Sequence, residues 1–445
     1  MKICVIPIDN RPVCYNLFKD IANIDEDIEL LIPPRDYLGD LNRSADIEKL
    51  FDWLKKVSEV DAMVISLDTI AYGGLIPSRR CPETFDEIKQ RMDLLKDILK
   101  EKNAKIYAFS SIMRISNNNY NEEEKEYWNK YGKLIFDYSF HTHKAGCESC
   151  VERLIPDDIL DDYLNTRKRN FEINKIYLQW QKEGLFDTLI FSKDDCAEYG
   201  FNVQEAKALE DLGGFTKTGA DEIPLTLFAR AINGNVKVKI KFLEPEYKNL
   251  ISNYEDISIE KSVFGQLSLA GMEVVEENED ILLIVNNFKD HQGEIVMKRP
   301  TEQFCGKFEL TENAMIADVR NANGADNLFV DTFINQQMPV NFYGYSAWNT
   351  SANTLGSLLC AAKVKFLAKK YNEKAFKKLQ IIRLLDDWAY QGNVRQTLVN
   401  PSENLNMSEF EKKIAKFVGL EFKADYKFPW NRLFEVEVDI KKVQV

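Results

Sequence analysis

The hydrophobic positions of this chain fall into two alternating kinds of stretch. Short apolar or β-branched runs recur, each followed by a polar cluster and then by a charged segment with helical spacing, the signature of strands buried between helices. The runs Lys2–Ile8, Glu29–Pro33, Asp61–Ser66, Lys105–Ser110, Thr188–Ser192, Val236–Phe242, Ile281–Asn286, Ala314–Asp318 and Pro339–Tyr343 predict strands. Ile47–Val57, Pro82–Glu101 and Glu205–Leu212 mix acids and bases with spaced Leu and Ile and predict amphipathic helices. The class is α/β. With Glu29–Pro33 set aside as an edge or inserted strand, eight runs remain up to about residue 356, the number that closes a (β/α)8 barrel. An open doubly wound sheet built from the first four runs, followed by a second α/β domain, satisfies the same pattern. The expectation carried forward is a (β/α)8-like barrel with an extra N-terminal strand over residues 1–360 and a mainly helical region, rich in Lys, Leu and aromatics, over 361–445. No internal repeat and no low-complexity linker is visible.

Composition narrows the setting. At 445 residues with 45% hydrophobic positions, the chain can bury a large core. Its 58 Lys and Arg against 71 Asp and Glu give a net charge of −13, which disfavours phosphate backbones and anionic headgroups as partners. Neither nucleic acid nor membrane is therefore expected. No apolar run approaches the roughly 20 residues of a membrane helix, and Met1–Asn10 lacks the core of a signal peptide. Eight Cys are too sparse for a disulfide scaffold, and Cys4 and Cys360 sit in apolar segments, so a reducing, cytoplasmic location is expected. No G-x-G-x-x-G follows the first strand, and no cofactor is expected.

Candidate chemistry gathers just after the predicted strands, at the carboxyl edge where α/β proteins place their sites. There stand Asp9, Asn10 and Arg11; Asp68 with Tyr72; Arg114; Asp194 and Asp195; Asp221 and Glu222; Asn287; Asp318 and Asn321; and Tyr345, Trp348, Asn349 and Asn353. Singly, such residues cap helices and close turns. Together, carboxylates, amides and aromatic rings on one edge suit a small carbohydrate, whose hydroxyls need hydrogen-bonding groups and whose C–H faces pack on rings. Only three His occur, which leaves a Ser-His-Asp triad or a His-rich catalytic zinc poorly supported. The adjacent pair Asp194 and Asp195 is the sharpest feature: two neighbouring carboxylates repel, so one can stay protonated as a general acid while the other is ionised. That division is what glycoside hydrolysis needs. In HTHKAGCESC, His141, His143, Cys147 and Cys150 offer four zinc-type ligands at a spacing unlike the usual finger patterns; an ordinary loop is the expectation there.

The motifs PIDNRPV, IPPRDYLGD, ISLDTIAYGGLIPSR, SSIMRIS, SKDDCAEYG, TGADEIPLTLFAR and YSAWNTSANTLG, in this order, resemble those of the bacterial family catalogued as domain of unknown function 4127, over nearly the whole chain. HTHKAGCESC and the final 50 or so residues carry no part of that resemblance. A second, shorter likeness is to barrel enzymes that hydrolyse N-acetylhexosaminides through the substrate's own acetamido group. Asp194-Asp195 and Trp348-Asn349 look like two of their elements, which implies that Asp194 orients the acetamido nitrogen, Asp195 protonates the leaving oxygen, and Asn287 and Asn349 bind hydroxyls. The leading expectation is thus a glycoside-hydrolase-like enzyme acting on an amino sugar or peptidoglycan-derived glycan. A Mg²⁺-dependent hydrolase or phosphosugar enzyme using Asp9, Asp68, Asp194 and Asp221, and a non-catalytic carbohydrate-binding protein, are the alternatives.

Overall fold

Six runs in the first half of the chain pair into one parallel sheet: β1 (Lys2–Ile6), β2 (Glu29–Leu31), β3 (Ala62–Ser66), β4 (Lys105–Ile112), β5 (Thr188–Lys193) and β6 (Thr216–Thr218), in the order β2-β1-β3-β4-β5-β6. The computed structural model describes residues 1–146, 154–194, 196–403 and 405–444. Its contacts divide the chain into two units: Met1–Tyr15, Glu29–Pro224 and Tyr254–Asp256 form the first, and Asn16–Ile28, Leu225–Asn253 and Ile257–Val445 the second.

In the first unit β3, AMVIS, is buried at every position, as a parallel strand covered on both faces must be. The connecting helices carry their own start signals. Asp46 caps Ile47–Lys56 by accepting from Lys49 N, and Thr84 with Glu87 forms a reciprocal capping box on Phe85–Lys100. Leu50 and Leu54 of the former and Ile88, Met92 and Leu95 of the latter share a core with Cys4, Ile6, Met63, Ile65 and Ala108 of the sheet. The expected helix limits hold to within a few residues for these two. The third expected helix, by contrast, starts four residues early, at Phe201.

The second unit contains β7 (Lys237–Phe242), β8 (Glu273–Val274), β9 (Ile281–Asn286), β10 (Gly293–Glu294), β11 (Ala314–Asp318), β12 (Asn321–Ala322) and β13 (Gly344–Ser346). Five of these make a parallel sheet in the order β13-β11-β9-β7-β8, and β10 pairs with β12. In both sheets the second strand lies outside the first, and the third and later strands add on the other side. The strand order therefore repeats although the sequence shows no repeat.

The expected (β/α)8 closure does not form, for a concrete reason: β1 already pairs with β2 on one edge and β3 on the other, so it has no edge left for a last strand. Glu29–Leu31, set aside from the count of eight, is the strand that occupies that edge. The boundary expected at residue 360 falls inside the helix Ser351–Leu367. Beyond it come the helix Glu373–Arg383, a π-helical stretch Leu384–Gln391, the helix Ser408–Val418 and an antiparallel hairpin of β14 (Glu421–Lys427) and β15 (Glu437–Gln444). The strand expected at Pro339–Tyr343 is displaced to β13. Pro339 has no N–H and its carbonyl closes a turn onto Phe342 N, so the chain meets its neighbour first where Asn313 N reaches Asn341 O and then where Tyr343 N reaches Ala314 O.

Within the second unit, Asp25 accepts from Lys369 N at 3.1 Å and Lys370 N at 3.0 Å, tying its first segment to its late one. Cys4 and Cys360 are both buried, and burial pushes the Cys4 thiol up to about 12. Among the described residues no helix is long and apolar enough to cross a membrane.

Candidate functional site

At the carboxyl edge of the first sheet the polar residues form three groups. After β1, Asp9 accepts from Arg11 N at 2.9 Å and Arg11 Nε at 2.8 Å, while the other edge of the same guanidinium binds Asp221 through Nη2 at 2.6 Å and Nη1 at 3.1 Å. Sequence positions 210 apart thus meet around a guanidinium that is 6% exposed, in the planar two-point geometry that favours Arg over Lys. Asn10 contributes its carbonyl, which accepts from Arg35 Nε at 2.7 Å.

After β3, Asp68 lies buried and accepts from Ser110 Oγ at 3.1 Å and Ser111 N at 2.7 Å, both on neighbouring β4. Burial raises its carboxyl to about 6; the serine donors and the Arg79 guanidinium oppose the rise. Its helix, Leu67–Tyr72, stops because Gly73 takes a left-handed φ of 90°. Tyr72, buried, borders a cleft of about 380 Å³ that Arg43, Arg80 and Arg91 also line.

The third group joins β4 and β5. Asp194, immediately after β5, places Oδ2 at 3.4 Å from both Arg79 Nη2 and Arg114 Nη1. Arg114 also binds Glu123 at 2.8 Å and Glu124 at 3.1 Å, and Arg79, fully buried, binds Glu124 at 3.2 Å. The Asp194 side chain remains 21% exposed, so it reaches solvent where Asp68 does not. Next to it, Lys193 pairs with Asp256, which also accepts from Thr218 Oγ1. Lys217 of β6 is buried. Desolvation lowers its pKa and Lys193 adds to the effect, against the carboxylates of Glu222 and Glu255. Glu222 folds back to accept from Ala220 N at 3.1 Å. A Cβ on Gly219 would fall 1.8 Å from its Oε1, so only glycine fits at that turn, where φ is +109°.

The second unit holds its own network at the carboxyl ends of β9, β11 and β13. Asp318 accepts from Asn286 Nδ2 at 2.8 Å, Asp326 N at 2.9 Å and Tyr345 OH at 3.0 Å. Burial, reinforced by the Asp326 carboxylate, pushes Asp318 up to about 7. Arg320, with no exposed surface, binds Asn286 Oδ1, Glu302 O and Glu244 Oε1 at 2.9–3.0 Å and lies 3.3 Å from Asp326. Asn287 exchanges two hydrogen bonds with the Glu244 backbone. Asn353 donates to Asn349, Asn349 to Asn323, and Asn323 to Glu294, a relay of amides ending on a buried carboxylate. Trp348 and Tyr345 are buried, so neither offers a ring face to solvent as a sugar platform would. Asn321 lines a separate cleft. Below β13, Asp387 accepts from Ala347 N at 2.7 Å, and Arg383 binds Asp386, whose carboxyl burial raises to about 7.

These positions give a pH prediction. Asp318 holds its proton to about pH 7 when folded but only to about 3.9 when unfolded. The folded chain therefore binds more protons across that window, and Asp318's contribution is fully present below about pH 4 and lost as pH rises through about 7. Asp318→Asn should flatten this loss: urea midpoints measured from pH 4.5 to 8 should fall less with pH in the variant than in the parent. Parallel curves would refute the assignment.

Asp195, Cys147 and Cys150 lie outside the described residues. Of the other zinc candidates, His143 Nδ1 accepts from Gly200 N at 3.0 Å and His141 packs edge-on against Phe140. Asp9 and Asp221 share the Arg11 guanidinium, while Asp68 is held by Ser110 and Ser111 and Asp194 by Arg79 and Arg114; no metal-ligand group occurs among the described residues. Sequence reasoning missed Arg79, Glu123, Glu124, Lys217, Asp256, Asp326 and the Asp386-Asp387 pair. Only the last carried a usable signal: adjacent acids inside an apolar stretch, LLDDWAY. A family model described as "Protein of unknown function (DUF4127)" matches residues 3–439, HTHKAGCESC and most of the final 50 residues included, contrary to the narrower resemblance expected from the motifs, and the chain belongs to that family. No curated protein and no solved structure matches the chain.

Proposed function

We propose that the carboxyl edge of the first sheet is a hydrolytic site for glycosides of a small or peptidoglycan-derived amino sugar, with Asp194 and Asp195 as its working carboxylates. One observation carries the reading. Asp194 stands partly exposed at a strand end, its oxygen shared by Arg79 and Arg114, and the Arg79 guanidinium also acts on a second carboxyl, Asp68, which burial raises to about 6. An arginine-held carboxylate that reaches solvent, with a second acid next to it in the sequence, is the equipment acid-assisted glycoside cleavage needs.

In this scheme Asp195 gives its proton to the glycosidic oxygen as the C1–O bond breaks. The substrate's acetamido oxygen closes on C1, and Asp194 accepts the acetamido N–H and balances the resulting positive charge. Water then attacks C1, returning a proton to Asp195 and reopening the ring. Asp68, which Ser110 and Ser111 enclose, does not reach the substrate; through Arg79 it acts as a positioning residue.

The test is turnover of a panel of aryl glycosides, aryl N-acetylglucosaminide first, by the full chain with and without chelator. Turnover that survives chelator and falls at least a hundredfold in Asp194→Asn supports the scheme. Chelator-sensitive turnover would favour the Mg²⁺ enzyme, and sugar binding without turnover, unchanged in Asp194→Asn, the binding protein.

A further inference from the structure

The second unit has a cleft that the hydrolytic reading does not use. It measures about 360 Å³, and its walls include Glu294, Lys298, Arg299, Asn321 and Asn327. Neither Lys298 nor Arg299 has an acidic partner among the described residues, although both are exposed in a chain whose net charge is −13. The single carboxylate in the wall is already engaged by the protein. Glu294 is 1% exposed, and its oxygens accept from Asn323 Nδ2 at 2.7 Å, Val296 N at 3.2 Å and Met297 N.

The interior of the cleft is built to donate. Asn321 is 7% exposed, yet its side-chain amide makes no hydrogen bond to any described residue. That amide is left available to a ligand. Its position is sculpted: a Cβ on Gly293, the residue paired with it across β10 and β12, would come within 2.0 Å of Asn321 Oδ1. Asn327 is oriented by its own contacts. Its Oδ1 accepts from Trp388 Nε1 and Asn393 Nδ2, both at 2.9 Å, which leaves its NH₂ as the group still able to bond.

We infer that this cleft binds the phosphate group of a small phosphorylated polyol. Two cations at the rim and two amides within supply point charge and N–H donors together, and a tetrahedral oxyanion has enough acceptor oxygens for all of them, more than a carboxylate offers. The volume lies at the lower end of the range for small-molecule sites, which fits a single sugar phosphate. The net negative charge of the whole chain does not oppose this, because repulsion from charges beyond about 10 Å is screened at ordinary ionic strength.

The experiment is calorimetric titration of the full chain with glucose 6-phosphate, glucose and gluconate. Glucose 6-phosphate should bind with a Kd of about 1 mM or tighter, at least tenfold tighter than either control. The double variant K298Q/R299Q, altered only at exposed positions, should weaken it at least tenfold, and Asn321→Asp, which sets a carboxylate inside the cleft, should abolish it while leaving the circular dichroism unchanged. Equal binding of glucose or gluconate overturns the inference, as does a Kd indifferent to K298Q/R299Q. Should Asn321→Asp fail to fold, the double variant decides alone. Loss of aryl glycoside turnover would bear only on the first unit, so the two proposals fail separately.

Discussion

Replacing Asp195 with Asn is expected to lower cleavage of glycosides with poor leaving groups by roughly 10²–10⁴, the usual worth of general acid catalysis. The substitution keeps size and hydrogen bonding but removes the transferable proton. Substrates with activated aryl leaving groups depart with little protonation and should lose much less. Asp194→Asn should depress both substrate classes, because the positive charge that develops at the sugar is common to both. The contrast in leaving-group dependence, measured as kcat/KM across a series of aryl pKa values, is the deciding quantity. An equal, small effect of Asp195→Asn on every substrate would reduce the pair to a helix cap.

Arg320→Met should be the most damaging single change to stability, at about 3–5 kcal/mol, the cost of leaving a buried charge without its partner. Arg320 and Asp326 both have no exposed side-chain surface, and Asn286, Glu244 and the Glu302 carbonyl lose a donor with it. Methionine fills the volume but donates nothing. Urea unfolding of the parent, Arg320→Met and the double variant R320M/D326N separates the causes: the double variant should regain part of the loss, since it removes the stranded charge. A loss under about 1 kcal/mol for Arg320→Met would mean that water reaches the site and screens it.

What the sequence disclosed follows burial. β1, β3, β9 and β11 lie within the expected runs, and β4 and β5 start where expected and run two residues and one residue further, because a strand covered on both faces is continuously apolar. β6, TKT, and β8, EV, are too short and too polar to have any such signature. The helices Trp128–Ala145 and Asp157–Lys182 went unread because their polar and buried residues are mixed; the latter buries Arg167, Asn170 and Asn174 on its inner side. Eight apolar runs do not by themselves imply closure, which depends on whether β1 keeps a free edge, and pairing is not written in a run of apolar residues. At the site, Asp9, Arg11, Asp68, Arg114, Asp194 and Asp221 were legible from their place after strands. Arg79 was not: it sits on a short helix, Pro77–Arg80, and its role comes from which carboxylates the fold brings to it.

The division of the chain into interleaved units has a consequence for how the protein is made. Residues 16–28 belong with the later half, and Asp25 waits for amide groups 344 and 345 residues downstream. As synthesis runs from the N-terminus, this segment leaves the ribosome long before its partners exist. The first unit is likewise incomplete until Asp256 emerges to meet Lys193. The first unit cannot finish before residue 256 emerges, and the 16–28 segment stays without its late partners for most of the chain's synthesis. Partners so distant make folding slow and aggregation a competing fate. Cutting the gene at its midpoint would yield two fragments that each lack a piece of themselves.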